Sequence, residues 1–342
     1  MATARQIIAL LSSLNEGNKE QVYAIALQVA AAEAKRGRRS VADELRVLVE
    51  RGRETKESDG RRSNSGVIVP ITKPRGELQN LLTSSYPSTK LTDLVLDSLT
   101  AGRLKEVVDQ QRHREELRHY GLVPTSTVLL IGPPGSGKTL TASALAGELH
   151  LPLFGIRFDT VITRFMGETA SKLRIIFDHI ASTRAVYLFD EFDAIGGKRT
   201  QDNDVAEMRR VLNSFLQFLE EPHVTDSVII CATNHPELLD RALFRRFDEV
   251  VEYRMPSPEL ARELIISRLS TFATKESLWP AISDVVVGLS HADLVAATEE
   301  AMKHAVLDRK KCVDVSVLRD KLERRAGMRN AVSNLGEERS TT

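Results

Sequence analysis

The sequence predicts an α/β protein: a parallel sheet wrapped by helices, followed by a small α-helical domain and preceded by a helical bundle. Three observations predict it. Between residues 91 and 255, short apolar runs alternate with amphipathic helical stretches, the pattern of parallel strands joined by crossover helices. After Pro256 the strand-like runs stop and helical segments follow one another. Before residue 54, apolar residues recur at three-and-four spacing. A length of 342 residues suits two domains, or one large domain with an appendage.

Taken in order, residues 1–54 read as short helices, with QIIALLSSL, YAIALQVAAAEA and VADELRVLVE separated near Gly17 and Gly37. Three such helices make a small bundle that gains from docking or oligomerisation. Lys35, Arg36, Arg38 and Arg39 suit either a solvated helix end or an acidic partner. Residues 55–90 read as a flexible linker. The stretch GRETKESDGRRSNSG is polar and rich in Gly and Ser, and Pro70, Pro74 and Pro87 continue it as irregular connection. The strands of the 91–255 domain are expected at VLLIG (128–132), LFGIRF (153–158), AVYLFD (185–190), SVIICAT (227–233) and EVVEY (249–253). Residues 256–327 form the helical domain, through ELARELIISRLSTF, LWPAISDVVVGL, ADLVAATEEAMKHAVLDRK and VSVLRDKLERRAG. The polar tail 328–342 is expected to fray.

Composition removes whole classes of function. Lys plus Arg is 47 and Asp plus Glu is 47, so the net charge of zero argues against general nucleic-acid or membrane binding. Hydrophobic residues at 42% and charged residues at 27% are the balance of a folded globular protein. The longest apolar runs, VLLI at 128–131 and VVV at 285–287, are far too short to span a bilayer. MATARQIIALLSSLNEG has neither a long apolar core nor a small-residue cleavage site, so no secretory signal is expected. Cys231 and Cys312 offer no disulfide framework and no cysteine-based zinc site. The expectation is a reduced, cytoplasmic protein without a membrane segment.

The strongest chemical signal is GPPGSGKT at 132–139, directly after VLLI and before a helix-like stretch that opens on Leu140. It satisfies G-x-x-x-x-G-K-[ST] in the strand–loop–helix context that this motif requires. Gly132, Gly135 and Gly137 let the backbone curl, so that N–H groups of the segment Gly132-Pro133-Pro134-Gly135-Ser136-Gly137 point at phosphate oxygens beside a helix N-terminus. Lys138 brings a compact charge to the β- and γ-phosphates, and the Thr139 hydroxyl can ligate Mg²⁺. AVYLFDEFDA supplies the second element, with Asp190 placed to reach Mg²⁺ and Glu191 to deprotonate the attacking water. A catalytic carboxylate of this kind separates an ATPase, with ATP and Mg²⁺ as its ligands, from a kinase. Asp193 reads as a turn or cap residue.

With these motifs in hand, roughly residues 90–326 resemble an AAA ATPase, the narrower family within the AAA+ class. CATNHPELLDRALFRRFDEVVEY at 231–253 is similar to the family's second region of homology. The resemblance implies that Asn234 positions the lytic water, and that Arg245 and Arg246 are arginine fingers reaching the nucleotide of a neighbouring subunit. A guanidinium suits that role because its rigid donor fork meets charge developing on the transferring phosphoryl group. The adjacent pair, with no intervening Gly, resembles the katanin- and spastin-like clade. GLSHADLVAATEEAM at 288–302 resembles the lid segment G-x-S-G-A-D-L, with Ala292 near the nucleotide, no sensor arginine there, and His291 where the pattern has Gly. That departure leaves its readings open: altered nucleotide packing or a response to pH, or else a solvated helix-start histidine. The resemblance also implies adenine contacts from Val95 and Leu96 in TDLVLDSL.

TRFMGETASKLRIIFDHI at 163–180 resembles a pore-loop region, with Phe165 and Met166 as the residues that grip an extended peptide and Gly167 giving freedom to move. An isolated FMG would instead place Phe165 in a core. AIGGKRTQDNDVAEMRR at 194–210 is the expected second pore-facing loop, with Arg209 and Arg210 near the subunit boundary. The resemblance therefore implies a homo-oligomeric ring, a hexamer, that threads or remodels protein substrates. Two alternatives stand beside it. One is an ATP-switched regulator of another enzyme such as a partner protease, because the N-terminal bundle resembles that of bacterial stand-alone AAA proteins paired with subtilisin-like proteases. The other is a nucleic-acid-dependent loader, which zero net charge and the lack of a winged-helix segment after residue 256 disfavour.

Overall fold

The computed structural model describes residues 74 and 76–340, apart from 163–165, 197–201, 222–224, 240 and 273–277. The expected bundle at 1–54 and the start of the linker lie outside the described residues. Residues 72–342 form one compact unit.

The unit opens with a short helix, α1 (Leu78–Leu81), and strand β1 (Leu82–Ser85), then a 3₁₀ turn at Leu91–Asp93. Helices α2 (Ser98–Arg112) and α3 (Arg114–His119) lead into β2 (Thr127–Ile131) and α4 (Lys138–Leu149). Next come β3 (Leu153–Ile156), α5 (Phe158–Val161), α6 (Met166–Ser182), β4 (Val186–Phe189), α7 (Asp193–Gly196) and α8 (Asp202–Glu220). Strand β5 (Val228–Thr233), α9 (Arg241–Phe244) and β6 (Glu249–Glu252) complete the α/β part. The helical part consists of α10 (Pro258–Arg268), α11 (Leu278–Ile282), α12 (His291–Leu307) and α13 (Val315–Ser340).

The sheet order is β1-β3-β4-β5-β2-β6, with β1 antiparallel at one edge and every other pairing parallel. Each of the five expected strands forms within a residue or two of its run, and the largest difference is at β3. That strand ends at Ile156, because Phe158 already opens α5. The central strands β4, β5 and β2 are buried on both faces, as parallel strands are, and their residues alternate between two cores. Leu129, Tyr187, Phe189, Ile229 and Cys231 enter a core rich in phenylalanine that includes Phe177 and Phe215. Val128, Leu130, Val186, Leu188 and Ile230 enter the aliphatic core beneath α2 and α4. A third core holds the helical part together around Leu264, Ile282, Leu294, Leu318 and Leu322.

Three expectations change. The linker reading of 55–90 fails from Leu78 onward: Leu82–Ser85 pairs residue for residue with Leu153–Ile156, and Leu81 and Leu82 are buried. Only Leu278–Ile282 of LWPAISDVVVGL is helical; the rest turns back toward Gly288, whose φ is +81°. The backbone of α13 continues to Ser340 rather than ending at 327, with no proline to stop it. Caps mark the starts of three helices. Asp97 accepts the N–H groups of Leu99 and Thr100 at α2, at 3.1 and 3.0 Å. Ser257 caps α10 ahead of Pro258, and Ser290 with Asp293 forms a capping box at α12.

Candidate functional site

Parallel strands bring their carboxyl ends to one edge of the sheet, and the order β4-β5-β2 sets three of those ends side by side. The loop Gly132–Gly137 leaves β2, Asp190 and Glu191 follow β4, and Asn234 follows β5 between them. The loop needs its glycines for measurable reasons. Gly132, Gly135 and Gly137 hold φ of +149°, +75° and +101°. A Cβ at Gly132 would also meet the Tyr253 Cβ at 2.7 Å, and one at Gly135 the Ser290 Oγ at 2.8 Å.

Lys138 is buried at 6% exposure. Its ammonium donates to the carbonyls of Gly132 (2.8 Å) and Pro133 (2.9 Å) and to Asn234 Oδ1 (2.8 Å). Burial pushes its pKa down, while the charges of Asp190 and Asp193 pull it back up. The Thr139 hydroxyl donates to Asp190 Oδ2 at 2.6 Å, and Asp190 Oδ1 accepts the Glu191 N–H at 3.0 Å. Glu191 stands at φ +53°, a left-handed conformation in a non-glycine residue, and its side chain is exposed. The backbone is held in that turn by Phe192 N–H to Ala232 O (2.9 Å) and Ala194 N–H to Glu191 O (2.8 Å). A carboxylate thus projects into the cleft from a rigid support.

These residues line a cavity of about 430 Å³, the size of a small-molecule site. Pro134 through Leu140, Asp190, Glu191 and Asn234 form its polar end. Val95 and Leu96 from the segment before α2, and Leu264, Ala292 and Val295 from the helical part, form its apolar end. The helical part docks on the loop directly, through the Ala292 N–H to the Gly135 carbonyl at 2.9 Å. Gly132 and Pro133 act from behind the cavity wall by holding Lys138.

Two expected groups stand elsewhere. Arg245 and Arg246 lie on an exposed turn outside the cavity, where Arg246 pairs with Glu220. Phe165 lies outside the described residues; Met166 begins α6, and its side chain and those of Arg209 and Arg210 are likewise outside them.

Sequence reasoning missed several supports. Asp193 accepts the Thr233 hydroxyl at 2.8 Å, and Thr233 Oγ1 in turn accepts the His235 N–H at 3.0 Å, which fixes the turn carrying Asn234. Tyr253 and Thr141 share a hydrogen bond of 2.6 Å beneath the loop. Leu264 and Arg268 sit one helical turn apart on α10 and both line the cavity. Their spacing carries no signal beyond that of any amphipathic helix. His291 lines both this cavity and a second one of about 440 Å³ next to it. Its buried Nδ1 has no hydrogen-bond partner among the described residues. Burial lowers its pKa, and the Asp97 charge opposes that shift.

Among the described residues, no helix is long and apolar enough to cross a membrane. Residues 128–255 match the ATPase family associated with various cellular activities, AAA. The chain is 31% identical over 332 residues to the uncharacterized AAA family ATPase y4kL of Sinorhizobium fredii, covering 96% of this chain and 98% of that protein. It is 35% identical over 219 residues to the proteasome-activating nucleotidase of Thermococcus onnurineus, covering 61% of this chain and 54% of that protein. The chain therefore spans about half of the nucleotidase. The crystal structure of the FIGL-1 AAA domain superposes with a TM-score of 0.57 over 72% of this chain and 86% of that one; at 22% identity it speaks for the fold alone. Likeness along 98% of y4kL, joined to the match of residues 128–255 to the family, makes this chain a member of the AAA family, an ATPase that hydrolyses ATP.

Proposed function

We propose that the chain is a ring-forming AAA ATPase, a hexamer, that uses ATP hydrolysis to remodel or thread protein substrates. The observation that carries the ring is the separation of parts. Lys138, Thr139, Asp190, Glu191 and Asn234 converge on one cavity, whereas Arg245 and Arg246 are exposed and outside it. Exposed arginines at the foot of β6 serve catalysis if they complete the site of the next subunit, where they meet the charge that develops on the γ-phosphoryl group.

On this reading Lys138 neutralises the β- and γ-phosphates. Asn234, held against Lys138, orients the attacking water, and Glu191 takes its proton. The cavity fits Mg²⁺. Thr139 Oγ1 and Asp190 Oδ2, hard oxygen donors 2.6 Å apart, stand beside the phosphate loop. No group of three His, Cys, Asp or Glu side chains converges among the described residues. A cation held by few protein oxygens and completed by phosphate and water matches that donor set. When bound, it supplies positive charge to the phosphate oxygens.

The test is complementation. Arg245→Ala, Arg246→Ala protein mixed with Lys138→Ala protein should recover ATPase activity that neither has alone, because intact pockets then meet intact fingers. Full wild-type activity at dilutions where the protein is monomeric would remove the ring. Threading adds a role for Phe165: Phe165→Ala should melt close to wild type and hydrolyse ATP, yet lose stimulation by protein substrate. A core phenylalanine would instead cost about 3–5 kcal/mol on truncation, and calorimetry tells the two apart.

A second reading makes the chain the cytoplasmic partner of a protease, to which it delivers or denies substrates. Its support is the similarity to a proteasome-activating nucleotidase. Proteins retained by the Glu191→Gln variant in ATP decide between a protease and substrates alone.

A further inference from the structure

Gly147 stands in the last turn of α4, the helix that begins at Lys138. A glycine inside a helix is about 1 kcal/mol less favourable than alanine, and Gly147 has ordinary helical backbone, so no left-handed conformation demands it. What demands it is a neighbour. A Cβ there would lie 3.1 Å from the Pro87 carbonyl oxygen and well inside the contact distance of the Thr89 carbonyl oxygen. The backbone of residues 87–89 rests directly on the helix at the one point that lacks a side chain.

From there the chain runs as a strap to the apolar end of the cavity. The Lys90 N–H donates to the Asp93 carboxylate at 2.8 Å, and the 3₁₀ turn Leu91–Asp93 packs against α4. Asp97 then caps α2. Between these anchors, Leu96 packs on the aliphatic core and Val95 on the helical part, and both line the cavity. Gly147 lies roughly 15 Å along the helix axis from the phosphate loop, at 1.5 Å per residue.

We infer that Gly147 is a positioning residue for the nucleotide base: it seats the strap on α4 and so fixes where Val95 and Leu96 meet the base. This rests on the reading of Val95 and Leu96 as the base wall. A methyl group at 147 lifts the Thr89 backbone, and the displacement passes along the pinned turn to residues 95 and 96. The phosphate loop, at the opposite end of the helix, keeps its geometry.

The experiment uses the full chain, ATP, and inorganic tripolyphosphate as a competitor that lacks the base. Gly147→Ala should raise the KM for ATP about tenfold, leave kcat at saturation within twofold, and leave inhibition by tripolyphosphate unchanged. Adding Thr89→Gly, which frees the strap backbone to turn its carbonyl away, should bring the KM back to within about threefold of wild type. An unchanged KM in Gly147→Ala overturns the inference. So does a parallel loss of tripolyphosphate affinity, which would mean that the helix itself is disturbed. A Gly147→Ala protein that fails to fold and is not restored by Thr89→Gly overturns it as well, since the contact would then serve the core. Val95→Ala with Leu96→Ala is the control on the underlying reading. If that pair leaves the KM for ATP unchanged, the base wall lies elsewhere. If the pair raises it while Gly147→Ala does not, the positioning role alone is lost.

Discussion

The polar end of the cavity is built from three neighbouring strand ends and one loop, whereas its apolar end is assembled from pieces far apart in the chain. At the polar end, Lys138 is bonded to Asn234 at 2.8 Å and Thr139 to Asp190 at 2.6 Å. The sheet fixes where each begins. At the apolar end, Val95 and Leu96 arrive on a strap, and Leu264, Ala292 and Val295 on two helices of a separate core. The polar end is a property of secondary structure; the apolar end is a property of packing between layers. The first should be sensitive to single functional groups, and the second to small changes of shape.

The largest expected effects test the first half of that contrast. Lys138→Ala should abolish measurable turnover, because the phosphate charges would lose the ammonium that is buried among the loop carbonyls. Glu191→Gln should keep ATP bound and lower kcat by about 10²–10⁴, the usual worth of a general base. Equilibrium binding and phosphate release measured on both proteins separate the two roles. Turnover in Glu191→Gln within tenfold of wild type would remove Glu191 as the base.

The same contrast explains what could be read from the sequence. GPPGSGKT was legible because loop conformation is local: three glycines with positive φ, a lysine and a threonine lie within eight residues. Most of the five parallel strands, the one before Asp190 among them, were legible because strands buried on both faces demand continuous apolar runs. β1 and the start of the strap were not. Leu82-Thr83-Ser84-Ser85 has no apolar run, and it becomes a strand only because β3 offers it an open edge. Pro74 and Pro87 on either side made the segment look like connection. Asp193 reads as a cap in sequence, and its hold on Thr233 spans a separation of 40 residues that no local pattern carries. Arg245 and Arg246 were singled out through family resemblance, not through any property of two adjacent arginines, and they stand outside the cavity.

An intermediate effect is expected where the loop meets the start of the helical part. Tyr253 and Thr141 are both buried, and their hydroxyls share one short bond. Burial pushes the Tyr253 phenol well above its ordinary pKa, so it stays neutral and hydrogen-bonded across the accessible pH range. Tyr253→Phe removes that bond and leaves the Thr141 hydroxyl with the Gly137 carbonyl alone, at 3.1 Å. The cost should be about 1 kcal/mol, which in a domain of this size lowers Tm by about 2–4 °C. The phosphate loop should loosen with it, raising the KM for ATP severalfold. A calorimetric scan with no shift in Tm would assign Tyr253 to packing alone.

The smallest effect belongs to His291, at the first position of α12 where the two ends of the cavity meet. A cation is disfavoured there by burial and by the positive end of the helix dipole. The groups around it do not restore the balance. Asp97 attracts a proton but is engaged in capping α2, and Asp293 is engaged with Ser290. The other charged groups lining the two cavities that His291 borders are of both signs, Arg103, Lys138, Arg254 and Arg268 beside Asp93, Asp190, Glu191 and Glu252, and burial remains the larger cause. The folded protein therefore holds this imidazole neutral below the ordinary value of 6.5, where the unfolded chain has begun to protonate it. Because the unfolded state binds the extra proton, stability falls as pH drops from about 7 toward 5. His179, also lowered by burial against Phe154 and Tyr187, adds a slope of its own and remains as an internal reference. His291→Gln keeps a hydrogen-bonding side chain and cannot titrate. Its melting temperature should match wild type near pH 8 and decline less steeply below pH 7. The difference should be a fraction of the about 1.4 kcal/mol per pH unit that one full proton carries, because the ring is only partly buried and solvent screens it. Parallel melting curves for the two proteins from pH 8 to pH 5 would show that His291 is solvated in the folded chain, and that the neutral imidazole plays no part in how the helical part sits on the loop.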